Sequence, residues 1–255
     1  MSILLTDFKY GKIIVLEKDY YITKSLLYTG QYCDEEAELF KQILEPGDKV
    51  VEIGSNIGAL TIPIAHAVGN TGIVYAIEPQ KYVYNVLSAN MHINNLNQVQ
   101  TYNFAIGDTQ KTVKLPVLDY TKQLNFGGIA IDENNTGDEV LQFTLDEFTL
   151  GETFDIIPNI KLIKIDVEGM ELNVLDGGKK FISQEKPFIY CENDRPKNSE
   201  KLIKKLTDLG YNIHKHISHV FNKKNVKGLT HNFFDKDYIC ENILAVPKEN
   251  STFII

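Results

Sequence analysis

The stretch VVEIGSNIGALT (Val50 to Thr61), followed by VYAIEP ending at Glu78 and Pro79, constrains this chain more than any other feature. Val50, Val51, Ile53 and, past the loop, Ile57 flank a turn that has to be tight. Gly54 supplies backbone freedom where the strand stops and the chain reverses, and Gly58 removes a side chain where the next helix presses on the sheet or on a ligand. Glu78 ends a second expected strand, Gly72 to Ile77, at about the 20-residue separation from which an acidic residue accepts both hydrogen bonds of an adenosine ribose. Two strand ends then converge on one adenosine.

The middle of the loop decides between adenosine cofactors. A dinucleotide turn reads G-x-G-x-x-G/A, and its second glycine lets the backbone approach a pyrophosphate. Gly54 and Ala59 fit that frame, but the middle position is Asn56, so a pyrophosphate would meet a side chain. Glu52-x-Gly54-x-Asn56-x-Gly58 instead resembles motif I of class I S-adenosylmethionine-dependent methyltransferases. That cofactor has no phosphate and presents a sulfonium and a zwitterionic amino acid, which an acid at Glu52 and an amide at Asn56 suit. Two other readings stay open here: a turn that only shapes a βα unit, and an NAD-dependent oxidoreductase on a Rossmann-like fold, which Asn56 disfavours.

With 255 residues and 43% hydrophobic content the chain can bury a full core as one α/β domain. A net charge of −8 and a pI near 5.3 argue against a nucleic-acid or anionic-membrane partner. Cys33, Cys191 and Cys240 are odd in number and widely spaced, which fits neither a disulfide framework nor a C-x-x-C metal site; they read as reduced, mostly buried thiols. The amino terminus lacks a basic region followed by a long apolar run, and no apolar run of about 18 residues occurs, so a cytoplasmic location is expected.

Residues 1–29 alternate apolar and polar positions around Tyr10-Gly11-Lys12, predicting an amino-terminal β-hairpin extension that acts as a lid or added edge, with a third short strand near Tyr20 to Thr23. The main domain is expected over 30–250. A helix from Asp34 to Leu44 precedes a βαβαβ half: strand Lys49 to Ile53, helix Ile57 to Val68, strand Gly72 to Ile77, helix Lys81 to Asn94 and strand Val99 to Phe104. Thr112 to Leu118 and Val140 to Leu145 then alternate like strands of an antiparallel insertion, joined by the Gly- and Asn-rich FGGIAIDENNTGDE, read as a mobile loop. Parallel order resumes with strand Lys161 to Ile165, helix Glu171 to Phe181, strand Phe188 to Glu192 and helix Asn198 to Leu209, and two strands close the chain, Tyr211 to Lys215 and Asp237 to Val246.

LIKIDVEGMELNVLDGG (Leu162 to Gly178) is the second constellation. Ligands of open α/β sheets sit beyond the carboxyl ends of strands, so Asp166 and Glu168 should face the same crevice as Gly54 and Glu78. The motifs TGQYCDEE, GDKVVEIGSNIGALT, YAIEPQ, Gly107-Asp108, the Asn125 to Gly128 run, TLDEF, IKIDVEGMELNVLDGG, PFIYCEN and ENILAVPK follow in an order that resembles the FkbM family of methyltransferases over about residues 28–248. Ser55 stands where alanine is common in that family, and the hairpin lies outside the shared pattern.

The resemblance implies a class I methyltransferase fold, a Rossmann-like seven-stranded sheet with helices on both faces and its last strand antiparallel. It also implies O-methylation of a sugar or polyketide-like hydroxyl of a small-molecule or glycan acceptor. The cofactor set expected on this basis is Glu52, Gly54, Ser55, Asn56, Gly58, Glu78, Pro79, Asn103, Ala105, Asp108 and Asp166, with Asn103 to Ile106 and Asp108 around adenine. An alcohol is a poor nucleophile, so the protein aligns it with the methyl and removes a proton; Asp166 and Glu168 are the catalytic candidates, with His92, Glu192 and Asp194 behind them. A divalent metal on the two carboxylates is an alternative but not the expectation. Asp166 as a helix N-cap and Glu168 as a helix-start acid is the structural alternative. His214, His216 and His219 lack metal-site spacing, and NKKNVK (Asn222 to Lys227) reads as a solvated loop. A non-catalytic, cofactor-binding partner protein is a further alternative.

Overall fold

The computed structural model describes residues 2–131, 136–151, 154 and 159–250. The amino terminus forms the expected hairpin, β1 (Ile3–Phe8) and β2 (Gly11–Leu16), with Phe8 opposite Gly11. No strand forms at Tyr20 to Thr23; that segment opens α1 (Ile22–Thr29). Asp19 is the reason. Its Oδ1 accepts from the Thr23 N–H at 3.0 Å and the Thr23 hydroxyl donates to the Leu16 carbonyl, which satisfies a donor that a helix start would leave orphaned. α2 (Asp34–Ile43) follows, with Asp34, Glu35 and Glu36 in its first turn, where acids complement the helix dipole.

The βαβαβ half consists of β3 (Lys49–Ile53), α3 (Thr61–Val68), β4 (Ile73–Ile77), α4 (Lys81–Ile93) and β5 (Val99–Tyr102). α3 begins at Thr61, not at Ile57, because Asn56 (φ 51°) and Gly58 (φ 89°) are left-handed and cannot belong to a right-handed helix. The hairpin packs on α4: Asn90 accepts from the Ile14 N–H and donates to the Ile14 carbonyl. It is a separate two-stranded sheet and not the added edge that its sequence suggested.

The strand expected through Phe104 ends at Tyr102, and β6 (Ala105–Gly107) leaves to join β7 (Lys111–Lys114) and β8 (Glu139–Thr144) in the order β6-β8-β7. β7 and β8 are antiparallel, as their alternation implies; β6 runs parallel to β8. The centre of the Gly- and Asn-rich loop, residues 132–135, lies outside the described residues. α5 (Leu145–Thr149) starts on a capping box between Thr144 and Glu147.

β9 (Ile160–Ile165) returns to the main sheet, followed by α6 (Glu171–Gly177), α7 (Lys179–Glu185), β10 (Phe188–Glu192), α8 (Pro196–Asp208), β11 (Tyr211–His219) and β12 (Ile239–Pro247). The single helix expected over Glu171 to Phe181 is two, parted at Gly177-Gly178; a Cβ on Gly177 would overlap the Gly107 carbonyl, so α6 lies directly against the end of β6. The main sheet has the order β11-β12-β10-β9-β3-β4-β5, with β12 antiparallel to both neighbours and β10, β9, β3, β4 and β5 parallel. Alternate residues of each central strand enter opposite core layers. Val50 and Leu162 pack with Phe40, Ile62 and Leu87 on one face, Val51 and Ile163 with Phe148, Phe181 and Leu202 on the other. Among the described residues no helix is long and apolar enough to cross a membrane.

Candidate active site

The carboxyl ends of β3, β4, β9 and β10 open on one side of the sheet, where two adjoining cavities lie, of about 270 Å³ and about 40 Å³. Gly54, Glu78, Gly127, Asp166 and Glu168 line both and mark their junction. The junction is built largely from backbone. The Gly54 and Ser55 N–H groups both donate to the Ile77 carbonyl, and the Asp166 N–H donates to the Ile53 carbonyl at 2.9 Å. Gly54 is left-handed, φ 86°, and any Cβ there would overlap the Asp166 carbonyl, so only glycine lets the ends of β3 and β9 meet. Glu78 accepts from the Asn56 N–H at 3.0 Å and from the Gln80 N–H at 2.9 Å, one bond on each oxygen, which leaves lone pairs for a ligand. Burial lifts its carboxyl to about 7 against the pull of those two N–H groups.

Below the junction runs a line of charges. Lys164 Nζ is 3.9 Å from Glu52 and 3.1 Å from Asp166, and the lysine is 3% exposed. Burial alone would lower its ammonium, yet Asp166, Glu52 and Glu36 hold it above its ordinary value. Glu52 is itself buried, which raises its carboxyl; Thr61 donates to one oxygen, and the other has no hydrogen-bond partner. Glu168, left-handed at φ 55°, pairs with Arg195 at 2.5 Å. Burial and then Asp166 raise it to about 7, with Arg195 opposing. Glu192 is pushed up to about 10 by burial and by Asp166 and Glu168, and its Oε2 is buried without a partner. Carboxylate oxygens of Asp166, Glu168 and Glu192 lie within 4.8 Å of one another. Burial and mutual repulsion favour a shared proton within such a group, or a hard cation.

Most residues singled out from the sequence line these cavities. Glu52, Gly54, Ser55, Asn56, Glu78, Asp166, Glu168, Glu192 and Asp194 line the larger one, and Pro79 and Ala105 the smaller. Three do not. Gly58 faces Met91 and Leu87 of α4, so its missing side chain serves helix packing. Asn103 donates its amide to the Glu78 and Pro79 carbonyls and fixes the turn from behind. Asp108 lines neither cavity and accepts from Asn173 on α6 at 2.9 Å. His92 is exposed on α4. The helix-cap alternative for Asp166 and Glu168 is also overturned. α6 begins only at Glu171, whose carboxylate accepts from the Gly169 N–H. His216 meets Tyr190 and His219 meets Glu35, and the groups of metal-ligating side chains among the described residues include no histidine. No residue of the NKKNVK run lines either cavity.

The sequence reading missed Tyr21, Tyr32, Glu36, Cys240 and Asn242, which form the far wall of the larger cavity, and Arg195 beside Glu168. Lys164 did carry a signal: a lysine inside the apolar strand IKLIKI must be paired or functional.

Two solved structures share this architecture. Precorrin-6y C5,15-methyltransferase from Geobacter metallireducens superposes with a TM-score of 0.52 at 13% identity, over 83% of this chain and 87% of that one. Methyltransferase FkbM from Methylobacillus flagellatus gives 0.50 at 14% identity, over 82% of this chain and 50% of that one. At these identities they establish the fold, that of the class I methyltransferases. The sequence matches the methyltransferase FkbM domain over residues 52–213, and the chain belongs to that family. Methyltransferase 1 of Beauveria bassiana is 26% identical over 147 residues, 50% of this chain and 57% of that protein, so the chain spans just over half the length of this relative. The family favours methyl transfer over the hydride-transfer alternative.

Proposed function

We propose that this chain transfers the methyl group of S-adenosylmethionine to a hydroxyl oxygen of a small molecule or glycan, such as a sugar or a polyketide-like acceptor. One observation carries the reading: a narrow, mostly apolar slot and a wider, polar cavity meet at Gly54, Glu78 and Asp166. The residues present fit the cofactor. Phe104, Ala105, Ile106 and Ile129 give the slot the flat apolar walls that adenine needs, with Pro79 at its edge. Glu78 at the junction accepts the ribose hydroxyls. The turn at Gly54, Ser55 and Asn56 leaves room for the methionine part, whose ammonium the Asp166 carboxylate suits. When bound, S-adenosylmethionine supplies an already activated methyl on a sulfonium. The protein's task is then to hold the acceptor oxygen in line and take its proton, a role for Asp166 or Glu168. An acidic cavity in a chain of net charge −8 suits a neutral or cationic acceptor better than a nucleic acid.

Mass spectrometry of a metabolite or glycan pool incubated with the protein and isotopically labelled cofactor tests the activity directly. Cofactor binding without any labelled product would leave a non-catalytic partner protein instead. In the proton-acceptor reading, Glu168→Gln lowers kcat by about 10² to 10⁴ with cofactor affinity largely intact and no response to chelator, whereas Asp166→Asn lowers kcat and weakens cofactor binding as well. The proximity of Asp166, Glu168 and Glu192 favours a second reading, a hard divalent cation that acidifies the acceptor hydroxyl. In that case chelation silences the wild type and Mg²⁺ or Mn²⁺ restores it.

A further inference from the structure

A second cluster of ligating side chains sits at the larger cavity, made of Glu36 in the first turn of α2 and Cys240 on β12, which line it, and the buried Cys33 just before α2. The two sulfurs are 3.5 Å apart, and both lie within 4.8 Å of a Glu36 carboxylate oxygen. A disulfide would need a separation of about 2.05 Å. Two thiolates on one tetrahedral zinc, each at about 2.3 Å, stand roughly 3.8 Å apart. The observed spacing is near the second value.

Glu36 is 4% exposed and Cys33 is 1% exposed, and among the described residues no lysine, arginine or histidine nitrogen comes within 4.0 Å of the Glu36 carboxylate. Glu36 therefore has no close ion pair among them, and Lys164 acts on its charge only from beyond that reach. Ser218 and Asn242 both donate to Oε1 of Glu36, at 2.7 and 3.2 Å, the kind of outer support that orients a ligating carboxylate. Glu36 and Cys240 line the cavity, with Cys33 behind them.

We propose that Cys33, Cys240 and Glu36 bind a zinc-class divalent cation as three protein ligands, with the fourth position open to the cavity. Binding is not a redox step. Each thiol loses a proton to solvent as its metal–sulfur bond forms, so affinity rises with pH. Sulfur ligands select zinc or cobalt over magnesium, which separates this site from the all-oxygen group of Asp166, Glu168 and Glu192. The site does not rest on the methyl-transfer reading, and its test needs no turnover.

The full chain, reduced and stripped with chelator, is titrated with Co²⁺ and then Zn²⁺. The expected result is one ion per chain, with sulfur-to-cobalt charge transfer in the near ultraviolet and strong tetrahedral bands in the red that Zn²⁺ abolishes. Cys240→Ser should lower affinity at least tenfold and weaken the charge-transfer band, whereas Asp166→Asn should leave both unchanged. A measurement without variants runs alongside: Zn²⁺ should protect Cys33 and Cys240 from a thiol-modifying disulfide reagent. Three results overturn the proposal. They are no stoichiometric binding, binding without charge transfer that Asp166→Asn removes, and an intact mass short of two hydrogens under non-reducing conditions, which makes the pair a disulfide.

Discussion

On one side of the larger cavity, Gly54, Ser55, Asn56 and Glu78 come from two neighbouring strand ends and are held by main-chain hydrogen bonds. On the other side, Tyr32, Glu36, Cys240 and Asn242 come from the start and end of the chain; Cys33 and Cys240, in contact behind that wall, are 207 positions apart. The first wall is shaped by what backbone can do, with a left-handed glycine where two strand ends touch. The second is shaped by side chains and can change without disturbing the sheet. A cofactor common to a family belongs against the first kind of wall, and an acceptor peculiar to one member against the second.

The largest effect that separates the walls is expected at Gly54. Gly54→Val places a branched side chain on the Asp166 carbonyl at a positive φ, so urea denaturation should show a loss of about 3 to 5 kcal/mol; an unchanged midpoint would break the backbone account of this wall. Next, Glu78→Ala should weaken S-adenosylmethionine or S-adenosylhomocysteine binding by about 1 to 3 kcal/mol, the cost of removing a charged hydrogen-bond partner. Calorimetry giving the wild-type affinity would remove Glu78 from the ribose. Tyr238 also lines the larger cavity, and Tyr238→Ala should raise the acceptor KM by about fivefold, a loss of about 1 kcal/mol of aromatic contact, and leave cofactor affinity alone. A matching loss of cofactor affinity would mean that the two walls do not divide the ligands.

Two carboxyls of the larger cavity carry a smaller effect, on stability. Glu78 and Glu192 titrate near 4.5 when unfolded but near 7 and near 10 when folded, so the folded state binds more protons across that interval. Their contribution is fully present below about 4.5 and is lost as the pH rises through the folded values. Thermal melts of the ligand-free chain should therefore fall from mildly acidic to alkaline pH. Glu192→Gln should flatten that slope and raise Tm at pH 8 by about 2 °C; a slope unchanged in the variant would exclude Glu192 as its source. The smallest change is expected at Gly127→Ala. Its new Cβ crowds only the amide end of the Asn56 side chain and meets Asn125 Oδ1 at ordinary contact distance, so denaturation should register about 0.5 kcal/mol or less. A larger loss would show that Asn56 is held as firmly as Gly54.

Much of the first wall was legible in residue order. Strand alternation, the tight turn at Gly54 and an acid at the next strand end are local facts, because each depends on the conformations open to a few adjacent residues. The same kind of reading failed where a local choice was balanced. Tyr20 to Thr23 suit a strand, and the Asp19 side chain tips them to a helix; Val99 to Phe104 read as one strand, and the departure of β6 to join β8 divides it. Asp108 and Asn103 stand near the right strand end, where Asp108 meets Asn173 and the Asn103 amide meets the Glu78 and Pro79 carbonyls.

The sequence by itself determined the α/β order, the Gly54 turn and the acids at Glu78 and Asp166, since these follow from period and from steric freedom within short segments. Only the tertiary structure decided that Lys164 lies between Glu52 and Asp166, that Arg195 takes Glu168, and that Cys33, Glu36 and Cys240 come together. Those meetings depend on antiparallel β12 lying between β10 and β11 and on α2 packing against β11. Contacts between distant segments are set by how whole elements bury their apolar faces, and no short stretch of sequence contains that information.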